Sequence, residues 1–340
     1  MNIINLNNSK MMFILLLIMS TLFAISSNSW ISCWMGLEMN LLFFIPLMAP
    51  KIKKYLMSEA SLKYFLVQSL SSINLMFFLI LFMMNNKLNL NMFMSMIMNL
   101  TLLMKMGAAP FHFWFPNIMN GLNWMNCFIL STWQKIAPMI IFSYCFLNKI
   151  IIMTMILSAL IGSIGGLNQT SIRKILSYSS INHISWMMAS LMINYKLWIM
   201  YFSIYMVLNM LLMMLFNLMN SYFIKQLFLT KINWFIKFIL MINLLSLGGI
   251  PPLLGFLPKW TLIFYLINMK LYFITFILMM TTLINLYYYI QLMYSMFMLN
   301  FMNIKFYNFK FLNIKFFIVS KLSIIINILL MMVTILFMLI

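Results

Sequence analysis

Acidic residues are nearly missing from this chain. Its 340 residues include two, Glu38 and Glu59, against 21 Lys and Arg. Charged residues of either sign make up only 7%, hydrophobic residues make up 65%, and the mean hydropathy is +1.05. So little polar surface excludes a water-soluble globule of this size, because it could not cover so much apolar area. The three cysteines, Cys33, Cys127 and Cys145, form no CxxC pair and are odd in number. A disulfide framework, a zinc site and an iron–sulfur site are therefore not expected, and ordinary apolar packing is. The net charge of +19 invites a nucleic-acid reading. The cations lie in short loops between apolar runs and form no basic face, so no nucleic-acid partner is expected.

What is present is apolar sequence cut into lengths that fit a bilayer. Met 42 and Phe 33, with abundant Ile, Leu, Asn and Lys, read as the bias of an AT-rich coding sequence, which makes many apolar identities interchangeable. A spanning helix needs about 20 apolar residues. That ruler predicts eleven spans, roughly 11–25, 30–48, 61–84, 90–109, 125–147, 150–167, 175–193, 197–220, 235–267, 271–299 and 318–339. The first follows "MNIINLNNSK", which has one lysine and reads as the flank of an uncleaved span rather than a secretory signal. Connections are short, so residues 1–340 are expected to form a single, all-α, polytopic transmembrane domain with membrane lipid around it.

The loop cations are asymmetric. Fourteen lie on the N-terminal side of the predicted topology (Lys51, Lys53, Lys54, Lys63, Arg173 and Lys174 among them), and four lie opposite: Lys87, Lys149, Lys196 and Lys270. The positive-inside rule then puts the N-terminus on the positive face and the C-terminus on the other. Three lysines belong to no ordinary loop: Lys105, Lys135 and Lys259.

Two segments carry helix breakers, "MKMGAAPFHFWFP" at 104–116 and "LSLGGIPPLLGFLPKW" at 245–260. Proline removes a backbone donor, and irregular backbone at membrane depth survives only inside protein or beside a wet cavity. Interrupted helices of this kind serve transporters as ion sites. In "LSALIGSIGG", Ser158, Gly162 and Gly166 recur every four residues, a stripe for close helix packing.

Lys135 falls at the middle of the apolar run 125–147, with Gln134 beside it and Ser131 one predicted helical turn before it. A charge at the bilayer centre costs about 2.5–3.5 kcal/mol, so such a residue is by default functional and faces inward. Glu38 falls at the middle of the run 30–48, whereas Glu59 lies near Lys63 at a loop. A carboxylate in apolar surroundings must hold a proton or find a cation. A pair with one of the three intramembrane lysines is expected, though spacing does not say which. Lys105 comes just before the first break and Lys259 just after the second. A lysine whose partner moves can load and release a proton. His183, with Ser179 and Ser180 on its predicted face, suits proton transfer between lysines. His112 lies in the first break, and a bis-histidine haem has no other support.

"LLMKMGAAPFHFWFPNIMNGL", "TWQKIAP", "GSIGGLNQTSIRKILSYSSINHISWM" and "LSLGGIPPLLGFLPKW" together resemble the antiporter-like membrane-arm subunits of respiratory complex I. Within them, the chain resembles the subunit 2 family of animal mitochondrial NADH dehydrogenase over nearly its whole length. The resemblance implies an antiporter-like fold shortened to eleven helices, with a broken helix in each of two inverted repeats. It implies proton translocation through a charged axis falling on Glu38, Lys105, Lys135 and Lys259, with His183 on the connecting path. It implies the mitochondrial inner membrane, a matrix-side N-terminus and other complex I membrane-arm subunits as partners. No cofactor is expected in this chain; NADH, FMN, iron–sulfur clusters and ubiquinone belong to the whole complex. A stand-alone cation/proton antiporter and an inert membrane scaffold are the competing readings. The first shares the motifs, and the second has no use for four intramembrane charges.

Overall fold

The computed structural model describes residues 8–49, 55–84, 91–229, 234–297, 319, 321–325 and 327. The chain divides into two compact units, Met1–Thr154 and Met155–Ile340. Every named element is helical: the sequence offers long apolar runs and few breakers, and a chain in lipid must satisfy its backbone internally.

The first unit begins with α1 (Asn8–Ser26), α2 (Trp30–Met48) and α3 (Tyr55–Met84). Ser29 starts α2 through a capping box, its hydroxyl accepting from the Ser32 amide. There follow α4 (Asn91–Met106), α5 (Trp114–Gly121), α6 (Trp124–Ser131) and α7 (Trp133–Tyr144). α7 packs on α1, α2 and α4, and α3 packs on α2, α4 and α5. α8 (Asn148–Gly166) runs from this unit into the next.

The second unit continues with α9 (Ile172–Ile193), α10 (Tyr195–Met219), the short α11 (Ile224–Leu229), α12 (Trp234–Gly248), α13 (Phe256–Asn268) and α14 (Tyr272–Phe297). The small-residue stripe packs as expected: Ser158 is fully buried, and a Cβ on Gly162 would stand 2.6 Å from the Asn182 amide nitrogen. A Cβ on Gly166 would press on the Tyr288 ring at 2.8 Å. α14 turns Phe273, Phe276, Met280, Leu283 and Tyr287 outward while it buries Thr281 and Asn285. Apolar outside and polar inside is the order a lipid solvent imposes.

Among the described residues six helices, α1, α2, α3, α8, α10 and α14, are long and apolar enough to cross a membrane. Several expected boundaries move. Lys63 lies inside α3, and Arg173 and Lys174 lie inside α9, because the helices run past their apolar stretches into polar flanks. The expected span 125–147 is not continuous: it breaks at Thr132, whose φ and ψ are −119° and −72°. Three donors converge there on one carbonyl, that of Phe128: the Thr132 amide, the Thr132 hydroxyl and the Ser131 hydroxyl. Back-bonding of this kind bends helices. Of the expected span 318–339, the described part makes a polar contact with α12, where Asn327 donates to Asn243 at 2.7 Å. Lys51, Lys53, Lys54 and Lys87 lie outside the described residues.

Candidate functional site

Both breaker segments interrupt a helix, and they end it in the same way. α4 stops where Gly107 takes φ +72°, with the Ala108 amide bonding the Leu103 carbonyl and the Gly107 amide bonding that of Met104. α12 stops where Gly249 takes φ +82°, with Ile250 bonding Leu245 and Gly249 bonding Ser246. Each is a Schellman motif, which needs a left-handed residue after the last turn and therefore favours glycine. In each case the chain resumes as helix seven positions after the glycine, at Trp114 and at Phe256.

The motif leaves the last two carbonyls of a helix unpaired. At the first break, Gln68 of α3 donates its amide to the Lys105 carbonyl at 3.2 Å. The Trp114 indole reinforces the end by donating to the Met104 carbonyl at 3.1 Å. At the second break the donor is Lys259. Its side chain folds back from α13 and gives its amine to the carbonyls of Gly248 (2.8 Å) and Leu247 (3.4 Å). A cation at a helix C-terminus also meets the negative end of the macrodipole.

In the first unit, Glu38 finds its partner in Lys105, with Oε1 and Nζ 4.0 Å apart. The Lys105 side chain is 3% exposed and that of Glu38 25%. At this spacing neither atom hydrogen-bonds the other, and both lack another hydrogen-bond partner among the described residues. Coulomb attraction over 4 Å is about 4 kcal/mol at an effective dielectric of about 20. That is comparable with the cost of about 2.5–3.5 kcal/mol for one central charge. The pair is thus held together without being locked.

Lys135 is fully buried in α7, its Nζ 4.8 Å from the centre of the Phe115 ring. The break at Thr132 falls between it and Ser131, whose hydroxyl goes to the Phe128 carbonyl. Pro138 follows within the helix and has no N–H for the Gln134 carbonyl. Lys105 and Lys135 line one cavity with Asn40, Tyr64, Gln68 and Gln134. About 20 Å³ of it is open to a water centre, above the roughly 10–15 Å³ that one water needs.

In the second unit, His183 of α9 is buried, its Nδ1 2.9 Å from the Tyr201 hydroxyl, and its ring lies 4.9 Å from that of Tyr205. These three line a smaller cavity with Ser246 and Leu247 at the end of α12 and Pro258 at the start of α13. His112 places Nδ1 3.2 Å from the Pro110 carbonyl, beside the Phe113 ring. Glu59 and Lys63 form an ion pair one turn apart on α3, both half exposed. The three cysteines are buried, and none of them forms a disulfide. Among the described residues no cluster of His, Cys, Asp or Glu could hold a metal ion.

Tyr64, Gln68, Asn40 and Tyr201 were not singled out in the sequence. They are single polar groups in apolar runs, and their partners lie far along the chain. A polar residue recurring within a predicted span was the only signal that could have found them.

Two interrupted helices, each with a buried lysine at the break, define an antiporter-like transmembrane protein. Residues 27–285 match the family model described as NADH:quinone oxidoreductase/Mrp antiporter, transmembrane. NADH-ubiquinone oxidoreductase chain 2 of Anopheles gambiae is 52% identical over 297 residues, 86% of this chain and 87% of that relative. The Aedes aegypti protein of the same name is 47% identical over the same shares. Among solved structures, a chain of respiratory complex I from Thermus thermophilus with bound aureothin has a TM-score of 0.83 at 20% identity, covering 95% of this chain and 77% of its own. A chain of the Mrp complex from Dietzia sp. DQ12-45-1b has a TM-score of 0.71 at 15% identity, covering 84% and 60%. The structural likenesses establish the fold. The sequence relatives settle the rest: this chain belongs to the NADH-ubiquinone oxidoreductase chain 2 family.

Proposed function

We propose that the chain is a proton-translocating membrane-arm subunit of NADH:ubiquinone oxidoreductase. It works as a single antiporter-like transmembrane domain, residues 1–340, beside other membrane-arm subunits in the mitochondrial inner membrane, with its N-terminus toward the matrix. It lends the enzyme proton movement, and NADH, FMN, iron–sulfur clusters and ubiquinone are handled by other subunits.

The observation that carries this reading is the Glu38–Lys105 pair, whose lysine lines a water-sized cavity together with Lys135. A carboxylate 4.0 Å from an ammonium, with no hydrogen bond to fix it, stabilises the charged lysine while near and releases it when displaced. Lys135, across the same cavity, is the group to which a proton leaving Lys105 passes. In the second unit Lys259 carries the corresponding charge, held on the carbonyls that end α12. His183, held at Nδ1 by the Tyr201 hydroxyl, is the titratable group through which a proton passes in this unit.

The test is Lys135→Met, which keeps length and apolarity. The complex assembles, but NADH-driven proton uptake and quinone reduction are both impaired. Normal pumping and turnover in an assembled Lys135→Met complex would reject a proton-carrying role.

A further inference from the structure

Lys135 sits in a stretch of helix whose main-chain ladder is interrupted on both sides. Helix is lost at Thr132, three residues before it, and Pro138, three residues after it, frees the Gln134 carbonyl. Something outside the helix must hold this stretch in place. Gln134 is fastened at both ends of its amide. Its Nε2 donates to Asn40 Oδ1 of α2 at 3.0 Å, and its Oε1 accepts from the Tyr64 hydroxyl of α3 at 3.3 Å. Asn40 and Tyr64 are themselves buried, and Tyr64 is wedged edge-on against Phe44 and beside Trp114. Asn40 lies two residues from Glu38, and Gln134 is the immediate neighbour of Lys135. All three fastening residues line the cavity that Lys105 and Lys135 share.

We infer that Gln134 is a positioning residue: clamped between Asn40 and Tyr64, it fixes the helix that carries Lys135 against the helix that carries Glu38. The clamp is neutral and neither gains nor loses a proton. It sets the distance at which the charges of α2 and α7 act on one another. An unbroken main-chain ladder would hold the segment around Lys135 straight, and here it is interrupted on both sides. The inference rests on the reading of Glu38 and Lys135 as proton-carrying groups.

The experiment compares Gln134→Leu, Tyr64→Phe and Glu38→Gln, singly and combined, in the assembled complex reconstituted in vesicles. Native electrophoresis measures assembly, and NADH-driven proton uptake measures function. Gln134→Leu lowers proton uptake by about tenfold, the effect of a displacement smaller than the roughly 1 Å that costs on the order of a hundredfold. Tyr64→Phe, which keeps the ring and removes one hydroxyl, gives a smaller loss in the same sense. Neither adds to the defect of Glu38→Gln, since a clamp that acts through Glu38 has nothing left to position. Should Gln134→Leu fail to assemble, Tyr64→Phe and its combination with Glu38→Gln decide. Losses that multiply with that of Glu38→Gln overturn the inference and leave a merely structural role. So does normal pumping in both clamp variants beside an impaired Glu38→Gln. Normal pumping in Glu38→Gln itself rejects the underlying reading instead, and the clamp falls with it.

Discussion

Gly249→Ala puts the clasp of Lys259 on α12 to a quantitative test. Gly249 has φ +82°, where an L side chain costs about 1–2 kcal/mol. The added Cβ would also stand 2.8 Å from the Lys259 Nζ and 2.9 Å from its Cδ. The amine must withdraw, and its bond to the Gly248 carbonyl goes with it. A hydrogen bond to a charged group is worth about 1.5–3 kcal/mol. The two effects together come to about 2.5–5 kcal/mol. The bond alone, at about 1.4 kcal/mol per tenfold, corresponds to a roughly ten- to hundredfold loss of clasp occupancy. Gly248→Ala is the matched control. Its Cβ would meet Tyr289 and Leu286 at 3.6–3.7 Å, ordinary contact, and its backbone is helical, where alanine gains about 1 kcal/mol over glycine. The assays are the thermal inactivation midpoint of the solubilised complex and protons taken up per NADH oxidised in vesicles. Gly249→Ala lowers both, and Gly248→Ala lowers neither. Equal behaviour of the two alanines, or an unchanged midpoint and ratio in Gly249→Ala, would refute the clasp.

Three further outcomes are expected. Glu38→Gln removes the carboxylate beside Lys105 and lowers coupled turnover, read as proton uptake per NADH. Glu59→Gln leaves that ratio and assembly unchanged, because its half-exposed pair with Lys63 contributes about 0–1 kcal/mol. Tyr201→Phe removes the partner of His183 Nδ1 while keeping the ring; the complex assembles and its proton-uptake rate falls, and an unaltered rate would remove His183 from the path.

The sequence made α2 legible to the residue, because its apolar run 30–48 has the length a bilayer asks for. The two breaks were legible because Gly and Pro are rare in this chain and cluster there. The break at Thr132 was not. No glycine or proline marks it, and it depends on how hydroxyls and an amide share one carbonyl. The partner of Glu38 was hidden because helical spacing orders residues only along one helix, whereas Lys105 reaches it from another. Lys259 was expected near the second break. That it turns back to bond the helix before the break is a property of side-chain reach, and no periodicity encodes it.

The two helix ends share one backbone motif and differ in what seals them. An amide and an indole close the first, and an amine closes the second. Glutamine and tryptophan keep their donors at any proton count, so the first seam is a fixed joint. The second is fastened by an ionisable amine. If Lys259 carries protons as proposed, the strength of that seam varies with each proton it gains or gives up, and with it the pull that α13 exerts on the end of α12. One joint design, used twice, thus gives a rivet at the first break and, on the proposed role of Lys259, a latch at the second.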